Sequence, residues 1–369
     1  MQKLDKKILI AGSHAGSTSY AVIEELKLSK KYNWKIFFVG AKSAVAGKKV
    51  PTLENTIFPK MNIKFYSIES GRIQRKFTRH TIPSILKIPS GLLSAYFIFN
   101  KIQPDITLSF GGAVGFSISV ASWLKKTPLV IHEQTVAVGF ANKYSSLFAR
   151  KIALARKESL NYFPVNKCVV VGNPISREVL SLKVRTSLHE NKTIFITGGS
   201  RGSETINDTV KPILIKLLQK YYVIQQTGFS QFEEFKNIKQ KLPDGLRQKI
   251  EVYPMIESWN WYKILDRADV IVSRSGANVV SELITLKKPA IYIPILFSYE
   301  NEQFKNAKIA VDLGIAKIIE QDKLSPLLLY ETIEDAFGNW DETISKMKTS
   351  ELGDEKAAQK LVNLIENLC

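Results

Sequence analysis

The amino-acid sequence predicts an α/β protein built from two doubly wound, Rossmann-like domains that face each other across a cleft. Three observations predict it. The chain has 369 residues, well above the usual size of one domain. Short apolar runs alternate with longer amphipathic stretches, the rhythm of βαβ units and a parallel sheet. That rhythm occurs twice, with a Gly172-Asn173-Pro174 turn and a polar stretch, Arg185–Lys192, between its two occurrences. We therefore expect domains over 1–175 and 176–369, the second ending in an amphipathic helix.

In the first half, strands are expected at Lys7–Ala11, Trp34–Val39, Asp105–Ser109, Pro128–His132, Lys151–Leu154 and Cys168–Val171. In the second half they are expected at Thr193–Thr197, Tyr222–Gln226, Ile250–Tyr253, Val270–Ser273 and Ala290–Ile293. Helical stretches lie between most of them, among them Tyr20–Lys31, Glu204–Lys220 and Ala277–Leu286. In the last segment, Leu361, Leu364, Ile365 and Leu368 share one helical face.

Composition narrows the class. Hydrophobic residues make up 45% and charged residues 23%, as in an ordinary globular protein. Only Cys168 and Cys369 are present, so no disulfide framework or cysteine metal cluster is expected, which suits a reducing compartment. The apolar run Ile8–Ala11 is too short for a secretory signal, and no segment reaches the roughly 20 apolar residues of a spanning helix. The expectation is a cytoplasmic chain that does not cross a membrane. The net charge of +18 suits phosphate-rich substrates or an anionic membrane face. No zinc finger, RNP pattern or helix-turn-helix accompanies it, so no nucleic-acid partner is expected.

In open α/β sheets, ligands sit beyond the carboxyl ends of the strands, so the chemistry is sought in the loop after each strand. After the first comes Gly12-Ser13-His14-Ala15-Gly16-Ser17-Thr18, a small-residue turn whose backbone N–H groups can face an anion. His14 stands out in a chain with four histidines, and serves equally as general base or as a structural group. A second glycine turn, Ser109-Phe110-Gly111-Gly112, ends another strand. His132-Glu133-Gln134-Thr135, followed by Gly139 and Asn142, ends the next; it reads either as a polar plug or as donors and acceptors for a substrate. Gly198-Gly199-Ser200-Arg201-Gly202-Ser203 opens a helix and makes a diphosphate cradle, with Ser203 as N-cap. There is no P-loop motif. Ser273-Arg274-Ser275-Gly276-Ala277 opens another helix, in which Glu282 can accept two vicinal hydroxyls. Glu300-Asn301-Glu302-Gln303, with Asn306 one turn on, suits sugar hydroxyls.

In this order, SFGG, HEQT, GNPISRE, GGSRGS, QTG, SRSGANVVSE and ENEQFKNA resemble the MurG family, from Ile8 to about Gln321. The chain departs from that family's pattern in its shortened first loop, in Thr135 closing HEQT, and in Glu302 beside Gln303. The resemblance implies a GT-B fold. It also implies inverting transfer of N-acetylglucosamine from UDP-N-acetylglucosamine to the muramoyl 4-hydroxyl of lipid I, a polyprenyl-pyrophosphate-linked acceptor. The product is lipid II for peptidoglycan, hence a part in cell-wall growth, cell shape and division.

The resemblance further implies that Gly199, Ser200 and Arg177 hold the donor diphosphate, lined by Gly276 and Ala277. Met255 and Ile256 read the uracil, Glu282 takes the ribose, and Gln303 and Asn306 face the sugar. Gly16, Gly111, Gly112, Gln134 and Asn142 meet the acceptor. The base is His14 or Glu133. No cofactor or metal is expected, since no Asp-x-Asp motif in a nucleotide-sugar context is present. Arg72, Arg75, Lys76 and Arg79 precede Ile82, Ile85, Leu86 and Ile88, and Trp123 lies near Lys125 and Lys126. These suit peripheral contact with an anionic membrane surface on the cytoplasmic face. Two alternatives remain open: a GT-B glycolipid synthase using a diacylglycerol acceptor, and a non-catalytic nucleotide-sugar or nucleic-acid binding protein.

Overall fold

The structure, a computed structural model, describes residues 3–13, 15–41, 43, 52–71, 86–199 and 202–369. The chain forms two compact units, one of Met1–Ser176 with Leu352–Cys369 and one of Arg177–Glu351.

The first unit holds a seven-stranded parallel sheet in the order β3-β2-β1-β4-β5-β6-β7. Its strands are β1 (Leu4–Ala11), β2 (Tyr32–Ala41), β3 (Lys64–Ile68), β4 (Ile106–Ser109), β5 (Leu129–Glu133), β6 (Lys151–Leu154) and β7 (Cys168–Val170). The apolar runs form strands because helices cover both faces, so that alternation of polar and apolar positions is not needed. Leu9, Val39, Phe99 and Ile118 pack one core, and Leu129, Ile131, Ile152 and Leu154 another. The second unit holds six parallel strands in the order β10-β9-β8-β11-β12-β13. These are β8 (Thr193–Thr197), β9 (Tyr222–Gln226), β10 (Ile250–Tyr253), β11 (Val270–Ser273), β12 (Ala290–Tyr292) and β13 (Ala316–Ile318). Ile194, Ile196, Leu217, Val272 and Phe337 belong to its main core.

Three expectations need correction. The edge strands β3 and β13 were not anticipated; both are short and only partly buried. The helix expected over Glu204–Lys220 is interrupted at Lys211–Ile213 by a 3-10 turn, because Pro212 cannot donate to the ladder. The last helix, Ala357–Glu366, belongs to the first unit rather than the second. It packs on the helix Gly16–Lys27, and Lys31 Nζ donates to Glu366 O at 3.0 Å. Just before it, Asp354 forms a bidentate pair with Arg156 (2.7 and 2.8 Å) and accepts the Asn173 N–H at 2.8 Å. Asp354 and Arg156 are 2% and 6% exposed.

Each sheet reverses its winding once, between β1 and β4 in the first unit and between β8 and β11 in the second. Ala11 pairs with Ser109 and Thr197 with Ser273, so the loops leaving these strands lie side by side. Such switch points are where open α/β sheets hold ligands.

Candidate active site

At the first switch point, the loop after β1 meets the loop after β4. Gly111 and Gly112 both have positive φ (82° and 73°), which side chains rarely adopt. A Cβ on Gly112 would come within 2.9 Å of Ser13, and one on Gly111 within 2.5 Å of the Asn142 amide. The SFGG turn is therefore wedged between the first loop and the HEQT loop. His14 lies outside the described residues, flanked by Ser13 and Ala15. Gly16 starts the helix packed on Leu53.

Sequence reasoning missed Glu54. It is 1% exposed, and its Oε1 accepts the Ala15 N–H at 2.8 Å. A carboxylate in the first turn of a helix ordinarily reads as a complement to the helix dipole, so nothing in the local sequence marks it out.

Glu133 ends β5 as a buried carboxylate. Asn142 Nδ2 donates to its Oε2 at 2.8 Å, and the Thr135 hydroxyl and N–H donate to its Oε1 at 3.0 and 3.2 Å. Burial pushes its carboxyl above the usual range, against the pull of these hydrogen bonds. Gln134 is half-buried and accepts from Thr18 at 3.4 Å. His132 serves the fold: its Nε2 sits 3.0 Å from Gly172 O, which only accepts, so Nε2 carries the proton. Full burial lowers its pKa to about 4, and the ring is neutral at physiological pH.

At the second switch point, β8 leads into the glycine loop. Gly199 N–H donates to Thr197 Oγ1 (2.9 Å), which in turn donates to Gln226 Oε1 (2.8 Å). A Cβ on Gly202 would fall 2.1 Å from Thr227 O, whereas one on Gly199 would meet nothing within 4 Å. The Cα face of Gly199 is therefore open among the described residues, while its own N–H is spent on Thr197 Oγ1. Ser200 is outside the described residues. Ser203 caps the following helix by accepting from Ile206 N. Its hydroxyl also accepts from Arg274 Nη2 at 2.9 Å, while Arg274 Nη1 donates to Ile293 O at 2.8 Å. Burial lowers the Arg274 guanidinium to about 10. This cation tying the glycine loop to the exit of β12 is a second group that sequence reasoning left without a role.

Gly276 precedes the helix Ala277–Thr285, and both Gly276 and Ala277 are half-buried. Glu282 is 6% exposed; burial pushes its carboxyl up to about 7, and Trp261 Nε1 donates to its Oε2 at 2.7 Å. Met255 is half-buried and Ile256 buried, immediately before the helix Ser258–Arg267. Gln303 Oε1 accepts from Ile295 N at 3.1 Å. Asn306 is buried and donates to Ser275 O at 3.2 Å, which ties its helix to the Ser275–Gly276 turn. Arg177, exposed, is the first residue of the second unit.

Residues 193–365 match the glycosyltransferase family 28 C-terminal domain and residues 43–154 its N-terminal domain. A Clostridium perfringens protein named UDP-N-acetylglucosamine–N-acetylmuramyl-(pentapeptide) pyrophosphoryl-undecaprenol N-acetylglucosamine transferase is 32% identical over 358 residues, 94% of each chain. The chain belongs to this MurG family. A Bacillus cereus member, whose name carries the same activity, is 28% identical over 98% of this chain and 99% of its own. The solved Acinetobacter baumannii MurG superposes with a TM-score of 0.65 at 25% identity, covering 98% of this chain and 99% of that one. A Neisseria meningitidis UDP-GlcNAc 2-epimerase, solved with UDP-GlcNAc, superposes at 0.67 with 16% identity over 98% of this chain and 100% of its own, which reflects the shared GT-B fold.

Proposed function

We propose that this family member transfers N-acetylglucosamine from UDP-N-acetylglucosamine to the muramoyl 4-hydroxyl of lipid I, with inversion, giving lipid II. The observation that carries the reading is the buried carboxylate Glu282, one and a half turns into a helix that starts at a switch point, beside a glycine loop whose Gly199 leaves its Cα face open to a close-approaching group. A carboxylate next to an anion cradle fits a ribose joined to a diphosphate. Gly199 and Ser200, with Arg177, would hold the diphosphate, and Arg274 would add positive charge behind the loop as UDP departs. Gln303 would face the sugar: its carbonyl is engaged by Ile295 N, which leaves the amide N–H groups for the hydroxyls.

The acceptor falls to the first unit, to Gly16, Gly111, Gly112, Gln134 and Asn142. Proton removal from the 4-hydroxyl falls to His14 or Glu133. Incubation of the protein with labelled UDP-N-acetylglucosamine and a lipid-linked muramoyl-pentapeptide tests the reading. The expected product is a β-linked disaccharide on the lipid; label appearing only as free sugar would sink it.

The Glu282 carboxyl gives a pH signature. It accepts from ribose hydroxyls with full strength only when ionised, and with a pKa of about 7 it ionises through neutrality. Donor affinity should therefore rise several-fold between about pH 6 and about pH 8. UDP-N-acetylglucosamine has its diphosphate esterified at both ends and loses no proton in this window. In Glu282→Gln, calorimetric affinity should be weaker at every pH and flat across it.

Work at the cytoplasmic face of the cell membrane, in peripheral contact, is the second part of the proposal. Among the described residues, no helix is long and apolar enough to cross a membrane. The helix Ile88–Ile102 exposes Leu93 and Phe97, and the helix packed on it, Gly112–Leu124, exposes Trp123 and Leu124. Lys87, Lys101, Lys125 and Lys126 lie at their ends. Arg72 to Ile85, the rest of the basic–apolar stretch, lie outside the described residues. Cosedimentation with vesicles should depend on anionic lipid and weaken with salt, and Phe97→Glu should reduce it at least about fivefold. Equal binding to neutral vesicles would contradict the contact.

A further inference from the structure

The ribose carboxylate of the second unit is held in one direction. Trp261, fourth residue of the helix Ser258–Arg267, donates its indole N–H to Glu282 Oε2 at 2.7 Å. Its ring stands edge-on to Phe195 of β8, with centroids 5.3 Å apart and planes at 71°. A packed indole is a rigid group and a donor only, so it anchors one carboxylate oxygen at a fixed angle. Among the described residues, no donor engages the other oxygen, Oε1. No cation steadies the carboxylate either; burial pushes its carboxyl up to about 7, and the indole bond is the interaction that opposes the rise.

Packing alone does not account for this pair. An indole N–H and a buried carboxylate are costly groups to place in a core unless each satisfies the other, and apolar residues would fill the same space without that cost. Met255 and Ile256, the residues we assign to the uracil, lie just before this helix, separated from it by its N-cap Glu257. One short segment, residues 255–261, therefore carries both the base contact and the group that aims the ribose contact.

We propose that Trp261 is a positioning residue for donor recognition, fixing Glu282 with one oxygen anchored and the other presented to the ribose hydroxyls. The inference rests on the reading of Glu282 as the ribose acceptor. It gives the site a means of preferring ribose over deoxyribose nucleotides that depends on a side chain acting through Glu282.

Calorimetric titration with UDP and with 2′-deoxy-UDP separates aiming from packing. In Trp261→Phe, which keeps a ring against Phe195 but removes the donor, UDP affinity should fall about tenfold, the scale of one charge-assisted hydrogen bond. Affinity for 2′-deoxy-UDP, which keeps only the 3′-hydroxyl for Glu282, should fall clearly less, by about threefold. In a Glu282→Ala background, Trp261→Phe should add less than about twofold for either nucleotide. Trp261→His, which restores a ring N–H, should regain part of the lost preference for UDP, and it keeps the test open if the Phe variant does not fold. Equal losses for the two nucleotides, additive losses in the double variant, or a Phe variant that keeps its full preference for UDP would each overturn the proposal. A wild-type protein that binds no UDP would instead overturn the donor reading itself.

Discussion

Asp354→Ala should lower the melting temperature of the first unit by roughly 8–15 °C, the equivalent of about 3–5 kcal/mol. The carboxylate is buried, receives both Nη groups of Arg156 and caps the Asn173 N–H. Removing it leaves a guanidinium at 6% exposure without its carboxylate and a buried backbone donor without its acceptor. Both losses are of the kind that cost far more than the pair contributes when intact. The joint replacement Arg156→Met with Asp354→Leu should recover most of the stability, because well-packed apolar groups replace a buried ion pair at little cost. Scanning calorimetry of the three proteins decides this. A shift under about 2 °C in Asp354→Ala would mean that the tail is not fastened here.

Glu133→Gln should reduce kcat about 100-fold or more while leaving the donor KM within about twofold. The substitution isolates the charge. Gln keeps the volume and one acceptor for Thr135, and its new amide faces Asn142, whose buried Oδ1 has no hydrogen-bond partner and can turn to receive it. If Glu133 takes the acceptor proton, the carboxylate must be ionised. Wild-type activity then falls as the pH drops through a Glu133 pKa that burial has raised, and the variant loses that acid limb. If His14 is the base, the limb persists in Glu133→Gln and disappears in His14→Ala. Steady-state rates across pH for the two variants separate these outcomes, and an unchanged kcat in Glu133→Gln would remove Glu133 from the chemistry.

Much of this was legible in the sequence because the relevant signals are local. Strands such as Thr193–Thr197 and Val270–Ser273 announce themselves as apolar runs ending in small or polar residues, and the structure keeps those bounds. Glu133 and Glu282 stand out as acids next to buried elements. What escaped depends on contacts distant in the chain. Asp354 meets Arg156 across 198 residues, so neither partner signals the other, and the last helix went to the wrong unit for the same reason. Glu54 lies 39 residues from the loop it holds, and Trp261 lies 21 from the carboxylate it anchors. Arg274 sits inside a quoted motif, yet its role depends on Ser203, 71 residues earlier. The edge strands β3 and β13 escaped because an edge needs less burial, and a three-residue run such as Ala316–Ile318 carries too little pattern to read.

The most direct measurement is UDP release by the purified protein, with UDP-N-acetylglucosamine and lipid-linked muramoyl-pentapeptide supplied separately and together. Release should be robust only when both are present. Release that is equally fast without the lipid acceptor, or none at all from a folded protein that binds UDP, would contradict transfer to lipid I.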